Sequence, residues 1–175
     1  GQSISISSLK AAAKKGGGIL VRALRTFQGK KNVPVYSFFM PGSDVTRIAD
    51  ISRIERDESR ELRGFQRREI RAHVKNIAEY LDHGEVLFPN AIILAFSSDV
   101  QFKTSRGPSP KGLVKVATSG NLRIPIRDEG NRVAWIVDGQ QRSLALAKSR
   151  NQRMPVPIVA FVSDNLATQR EQFIL

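Results

Sequence analysis

Residues 132–150 read RVAWIVDGQQRSLALAKSR, and the fold class turns on them. Val133, Ala134, Trp135, Ile136 and Val137 form a short apolar run rich in strand formers, whereas residues 143–149 (SLALAKS) contain neither glycine nor proline and favour helix. The pentapeptide Asp138-Gly139-Gln140-Gln141-Arg142 is therefore expected on a strand-to-helix turn. Gly139 permits a tight bend or close backbone approach, Asp138 is a candidate N-cap, and the N–H groups of the first helical turn have no partners inside the helix. Those features outline an anion site. Arg142 offers a planar fork of donors to a phosphate or carboxylate, and the paired glutamines add uncharged donors and acceptors. An architectural role is equally compatible with these residues: a capped turn in which Arg142 pairs with a carboxylate of the core.

The text upstream of the turn alternates strand and helix. Residues 19–27 (ILVRALRTF) and 33–40 (VPVYSFFM) flank a Gln28-Gly29-Lys30-Lys31-Asn32 turn and predict a hairpin. Residues 44–54 place Val45, Ile48, Ala49 and Ile51 at helical spacing and predict a first internal helix. A charged stretch, residues 57–66, reads as a loop or frayed helix. It leads into the most regular helix, expected from about Gln66 to Leu81, with Ile70, Val74, Ile77, Ala78 and Leu81 on one face. Gly84 stops that helix, and residues 85–96 (EVLFPNAIILAF) predict a buried strand. Residues 97–121 form a basic, Gly- and Pro-containing insertion, in which 113–117 (LVKVA) is expected to pair with 122–126 (LRIPI). Beyond the central turn, residues 155–162 predict a buried strand and residues 166–175 the start of a helix.

Composition bounds what such a chain can do. Its 175 residues suffice for one core, and 41% hydrophobic content makes that core globular. A formal charge of +12 attracts polyanions, with nucleic acid the first expectation and a membrane surface the second. A solvated basic surface, or one matched by an acidic partner, is the plainer alternative. The absence of cysteine excludes thiol catalysis, cysteine metal sites and disulfides. With only His73 and His83, and no HExxH spacing, no metal site is expected. No apolar run reaches the length of a membrane span and no signal-peptide core opens the chain, so a cytoplasmic protein is expected.

Other chemistry is weakly announced. P-loop, dinucleotide and GxSxG patterns are missing, and Glu55, Asp57, Glu58, Glu61 and Glu69 read as solvated. Trp135 reads as core and His73 as a surface residue of the long helix.

The segment VDGQQRSLALAKSR resembles the signature of the DGQHR-domain family. That family includes the DndB proteins of DNA phosphorothioation systems and the DpdB proteins of deazaguanine DNA-modification systems. It is similar in turn to the ParB and sulfiredoxin superfamily, whose shared element is a GxxR turn between strand and helix. Gly139, Arg142 and Ala145 spell the longer GxxRxxA pattern of ParB. Upstream, Gln66-Arg67, a helix, Gly84 and a strand with Pro89 are similar to the ParB order of QPR-like box, helix, glycine and strand. The departures are specific: Gln141 stands where the family has histidine, Gln140 where ParB has an acid, and sulfiredoxin's cysteine is missing.

The resemblance implies an α/β domain with a small mixed sheet and packed helices over residues 19–175, continuing beyond Leu175; residues 1–18, polar, alanine-rich and ending in three glycines, read from composition as a flexible arm or a short helix on a hinge. It implies a DNA-associated accessory or regulatory protein of a prokaryotic DNA-modification or phage-defence system. Nucleotide or phosphate binding falls to Asp138, Gly139, Gln140, Gln141 and Arg142, with Gln66 and Arg67. The basic charge of the chain, apart from the resemblance, makes Arg68, Arg71, Lys103, Arg106, Lys111 and Lys115 the expected DNA contacts. A nucleoside triphosphate with Mg is the candidate cofactor, and Asp138 the candidate catalytic residue should the protein prove to be an NTPase or a nuclease-like phosphodiesterase. DNA and other proteins of the system are the expected partners, no membrane is expected, and self-association is left open.

Overall fold

The computed structural model describes residues 17–51, 60–83 and 87–163, the first ten residues of the second segment as backbone. Its strands are β1 (Gly18–Gln28), β2 (Val33–Pro41), β3 (Ala49–Ile51), β4 (Ile92–Phe96), β5 (Gln101–Thr104), β6 (Thr118–Pro125), β7 (Ala134–Asp138) and β8 (Pro155–Val162). Its α-helices are α1 (Val45–Ile48), α2 (Arg60–Leu81) and α3 (Gln140–Lys148), and a 3-10 turn at Gly42–Asp44 precedes α1. The strands make one sheet in the order β3-β7-β4-β8-β2-β1-β6-β5. β3 runs parallel to β7 and β4 to β8, while the other neighbours are antiparallel, so the protein is α/β with a mixed sheet.

The hairpin expected at residues 19–40 is present. Gly29 and Asn32 adopt positive φ, the Asn32 N–H donates to the Gly29 carbonyl at 3.2 Å, and Gln28 pairs with Val33. Alternation then sets the two faces. Tyr36, Phe38 and Met40 of β2 are buried with Ala23 of β1, whereas Leu20, Leu24 and Phe39 point outward. Leu94 and Phe96, Leu122 and Ile124, Ile136 and Ile158 complete the inner face. The sheet curls over this core: the Tyr36 ring lies 5.6 Å from that of Phe102, although β1 and β6 separate their strands. On the β7 side α3 buries Ala145 and Leu146, and α2 packs on α3 through Val74, Ala78 and Leu81.

Four expectations need correction. The helix predicted over residues 44–54 ends at Ile48, because Asp50 pairs with Trp135 in the sheet and its carboxylate is taken by the N–H groups of Gly130 (3.0 Å) and Arg132 (3.1 Å). Val45, Ile48 and Ala49 are nonetheless buried, as their spacing required. The long helix begins at Arg60, six residues early, and carries Gly64 within it. The strand expected over residues 85–96 starts only at Ile92. Pro89 has no N–H for a ladder, and the carbonyls of Asn90 and Ala91 are engaged by Arg142. Residues 113–117 form no strand: β6 already has β1 on one edge and β5 on the other, so LVKVA has no free edge to join. The predicted terminal helix at 166–175, the arm at 1–16 and the carboxylates of residues 55–58 lie outside the described residues.

Candidate functional site

β7 delivers Asp138 to the end of the sheet, and the chain reverses at Gly139 with φ 96° and ψ 25°. That left-handed backbone suits glycine, and it makes Gly139 the N-cap in place of Asp138, with no side-chain cap. The first helical bond runs from the Ser143 N–H to the Gly139 carbonyl at 2.9 Å, which the Ser143 hydroxyl also reaches at 2.7 Å. The N–H groups of Gln140, Gln141 and Arg142 are therefore without intrahelical acceptors. The Gln140 side-chain amide donates back to the Ile136 carbonyl at 3.2 Å, which steadies the turn.

Arg142 reaches across to the segment before β4. Its two terminal nitrogens donate to the carbonyls of Asn90 (3.0 Å) and Ala91 (3.3 Å), and one lies 3.6 Å from the Asp138 carboxylate. The guanidinium also stands 5.6 Å from the Phe88 ring. Asp138 is half exposed, so its pairing with Arg142 is not a buried salt bridge. The arginine fixes the loop and keeps a positive charge beside the helix N-terminus.

A cleft of about 470 Å³ opens between this turn, the segment Leu87 to Asn90, and one face of α2. It falls within the range of roughly 300–1,000 Å³ usual for small-molecule sites. Asp138, Gly139, Gln140, Gln141 and Arg142 form its polar wall; His73, Ile77, Tyr80, Leu87 and Phe88 form the opposite, largely apolar one. Among the described residues Asp138 is the one carboxylate lining the cleft, and no group of three or more His, Asp or Glu is placed to hold a metal. His73, a surface residue on its sequence, is exposed but faces the turn. Its spacing with Ile77 and Tyr80, four and then three residues on, is the helical signal that marks it as part of one wall.

The far end of that wall is latched. The Ser149 hydroxyl (2.7 Å) and the Arg150 N–H (2.8 Å) both donate to the Asp82 carboxylate, joining the C-terminal ends of α2 and α3. These bonds, the Ser149 one foremost, hold the Asp82 carboxyl below its ordinary pKa.

The remaining candidates are dispersed. Gln66, Arg67 and Arg68 fall in the half of α2 described as backbone only. Arg71 is exposed, about 200° around the helix from His73 and so on the other flank of α2. Lys103 lies on β5, and Arg106, Lys111 and Lys115 in the loop after it, all exposed. Five strands separate β5 from β7, so the basic insertion is not brought to the cleft. Among the described residues no helix is long and apolar enough to cross a membrane.

Fold and cleft together define an α/β protein in which a strand-to-helix turn carrying Arg142 faces a largely apolar wall. The family comparison is more specific. Residues 21–175 match the DNA-sulfur modification-associated family, DndB, and the chain belongs to it. Searches of curated proteins and of solved structures gave no match.

Proposed function

We propose that the protein is a DNA-associated accessory or regulatory component of a DNA-sulfur modification system, and that its cleft takes a phosphate-bearing nucleotide. One observation carries the second half: the unpaired N–H groups that open α3 and the Arg142 charge share a cleft with an apolar wall containing His73, Tyr80 and Phe88. A helix N-terminus favours phosphate, and an aromatic wall favours a planar base. The family match and the +12 charge support the first half, as does the resemblance of the turn to the DGQHR and ParB pattern. The cytoplasm, where chromosomal DNA and other proteins of such a system would be met, follows from the same reading.

Magnesium would arrive with a nucleoside triphosphate. It is commonly held by one or two carboxylates together with phosphate oxygens, and among the described lining residues Asp138 is able to contribute one. The chemistry such an ion supplies is neutralisation of phosphate charge. Gln140 and Gln141 are uncharged and Asp138 is engaged by Arg142, so binding is placed ahead of hydrolysis. The test is a calorimetric titration of the protein with nucleoside triphosphates, with and without magnesium. Saturable binding, weakened in Gln141→Glu by charge repulsion at the turn, is expected. Failure of every nucleotide to bind would sink the cleft assignment, and rapid phosphate release abolished by Asp138→Asn would make the protein an enzyme.

A further inference from the structure

The net charge of the chain is not evenly spread. Residues 17–43 carry four cations and residues 100–127 carry six, with no carboxylate in either segment. Ten of the net twelve positive charges therefore come from these two segments, and the rest of the chain is close to balance. Far apart in sequence, the segments supply β1 and β2 and β5 and β6, which are contiguous in the order β2-β1-β6-β5. The next strand, β8, has no charged residue at all. The four strands at one end of the sheet thus carry no acid of their own, and Asp99, just before β5, pairs with Arg127 at 2.9 Å.

Register shows how the charges are displayed. Leu20 pairs with Arg123, and Arg123 with Gln101; Arg22 pairs with Asn121, and Asn121 with Lys103. Paired residues share a face, and this is the outer one, so Arg22, Lys103 and Arg123 stand exposed together on it. Arg22 donates to the Ser105 hydroxyl, a neutral partner. Among the described residues none of the three has an ion pair. At the hairpin tip Lys30 and Lys31 extend the field, and the bond from the Thr26 hydroxyl to the Val116 carbonyl (2.6 Å) brings the loop carrying Lys111 and Lys115 alongside β1. Like charges gathered on one face oppose folding, and none of the four strands carries an acid to offset them.

We propose that this acid-free half of the sheet is a docking surface for duplex DNA, separate from the cleft, so that the protein holds a DNA backbone and a nucleotide at the same time. The inference rests on the DNA-associated reading above. Three features select the partner. The cations spread over β1, β6 and β5, roughly 10 Å across, and run onto a hairpin tip, which suits an extended polyanion better than a small anion. Exposed aromatic rings on this half are Phe27 and Phe39 alone, too few for a platform on which unpaired bases stack. No helix lies among β2, β1, β6 and β5, so on this half of the sheet phosphates are contacted rather than base edges. The surface and the cleft lie toward opposite edges of the sheet. β5 and β7 are six strand spacings apart, about 29 Å along the sheet at roughly 4.8 Å each.

The test is fluorescence anisotropy with two duplexes of unrelated sequence, titrated across about 50 to 200 mM salt, using wild type and the variant Arg22→Ala/Lys103→Ala/Arg123→Ala. Each lost phosphate contact flattens the slope of log K against log salt by about 1, so a slope flatter by about 3, alike on both duplexes, is expected. Should that variant melt early, Lys30→Ala/Lys31→Ala, confined to an exposed turn, is to flatten the slope by about 2. Unchanged slopes in both variants would overturn the proposal, as would binding to anionic lipid vesicles or polyglutamate in place of duplex DNA. The nucleotide titration is read separately. Loss of DNA binding with nucleotide binding intact confirms two surfaces, nucleotide failure with DNA binding intact removes only the cleft assignment, and wild-type failure to bind duplex DNA removes the surface.

Discussion

Arg142 joins two parts of the molecule that are distant in sequence: the turn that carries it, and the segment before β4 that presents the Phe88 ring and the carbonyls of Asn90 and Ala91. Removing it leaves two carbonyls short of donors, so Arg142→Ala is expected to cost about 2 kcal/mol in urea denaturation. Arg142→Lys keeps the charge and loses the fork. Its stability is expected to stay within about 1 kcal/mol of wild type while phosphate-ligand affinity falls by about an order of magnitude. Equal affinity in the lysine variant would make Arg142 architecture alone. Gly139 is as constrained for another reason. A Cβ there would meet an Arg142 terminal nitrogen at 3.1 Å and Ile92 Cγ1 at 3.2 Å, in a backbone with φ 96° that L side chains rarely adopt. Gly139→Ala is expected to lose about 1–3 kcal/mol and to displace the guanidinium, lowering melting temperature and ligand affinity together; an alanine variant as stable as wild type would refute it.

Helices α2 and α3 act as a pair whose separation sets the width of the cleft. α2 supplies the apolar wall, α3 the polar turn, and the Asp82 latch ties their far ends. The folded Asp82 carboxyl titrates below its ordinary value of 3.8, so the latch contributes stability above that pH and loses it as pH falls from 3.8 through the folded value. The stability gap between wild type and Asp82→Ala is therefore expected to be constant from neutrality down to about pH 4 and to narrow below it. A gap that does not change on acidification would show that the carboxylate carries no weight there. This device was hidden in the sequence, because Asp82 and Ser149 are 67 residues apart and neither stands in a recognisable pattern.

At the scale of the whole molecule, the sheet places two positive regions toward different edges, one built on a helix N-terminus and one on four acid-free strands. Sites this far apart with no shared partners should behave additively. Combining Gly139→Ala with Arg22→Ala/Lys103→Ala/Arg123→Ala is thus expected to give losses of DNA and nucleotide affinity equal to those of the separate variants, within about 0.5 kcal/mol for each ligand. A larger interaction would mean that the sheet transmits between its edges.

Local chemistry determined much of this protein. The 133–149 strand, glycine turn and helix, the hairpin at 19–40, the strand at 155–162 and the buried stripe of α2 were legible because periodicity and turn residues act within a few positions. The polar half of the cleft was legible for the same reason, as it lies in one pentapeptide. Tertiary structure decided the rest. Helix α1 stops where the Asp50 carboxylate finds N–H donors 80 residues away, β4 shortens where Arg142 takes its carbonyls, and LVKVA stays a loop because β6 has no vacant edge. His73 joined the cleft, and the basic insertion was carried away from it, through strand order alone. Side-chain type and spacing fix what a segment prefers, but which segments meet depends on hydrogen-bond partners and sheet edges supplied by distant residues, and no window of sequence contains those.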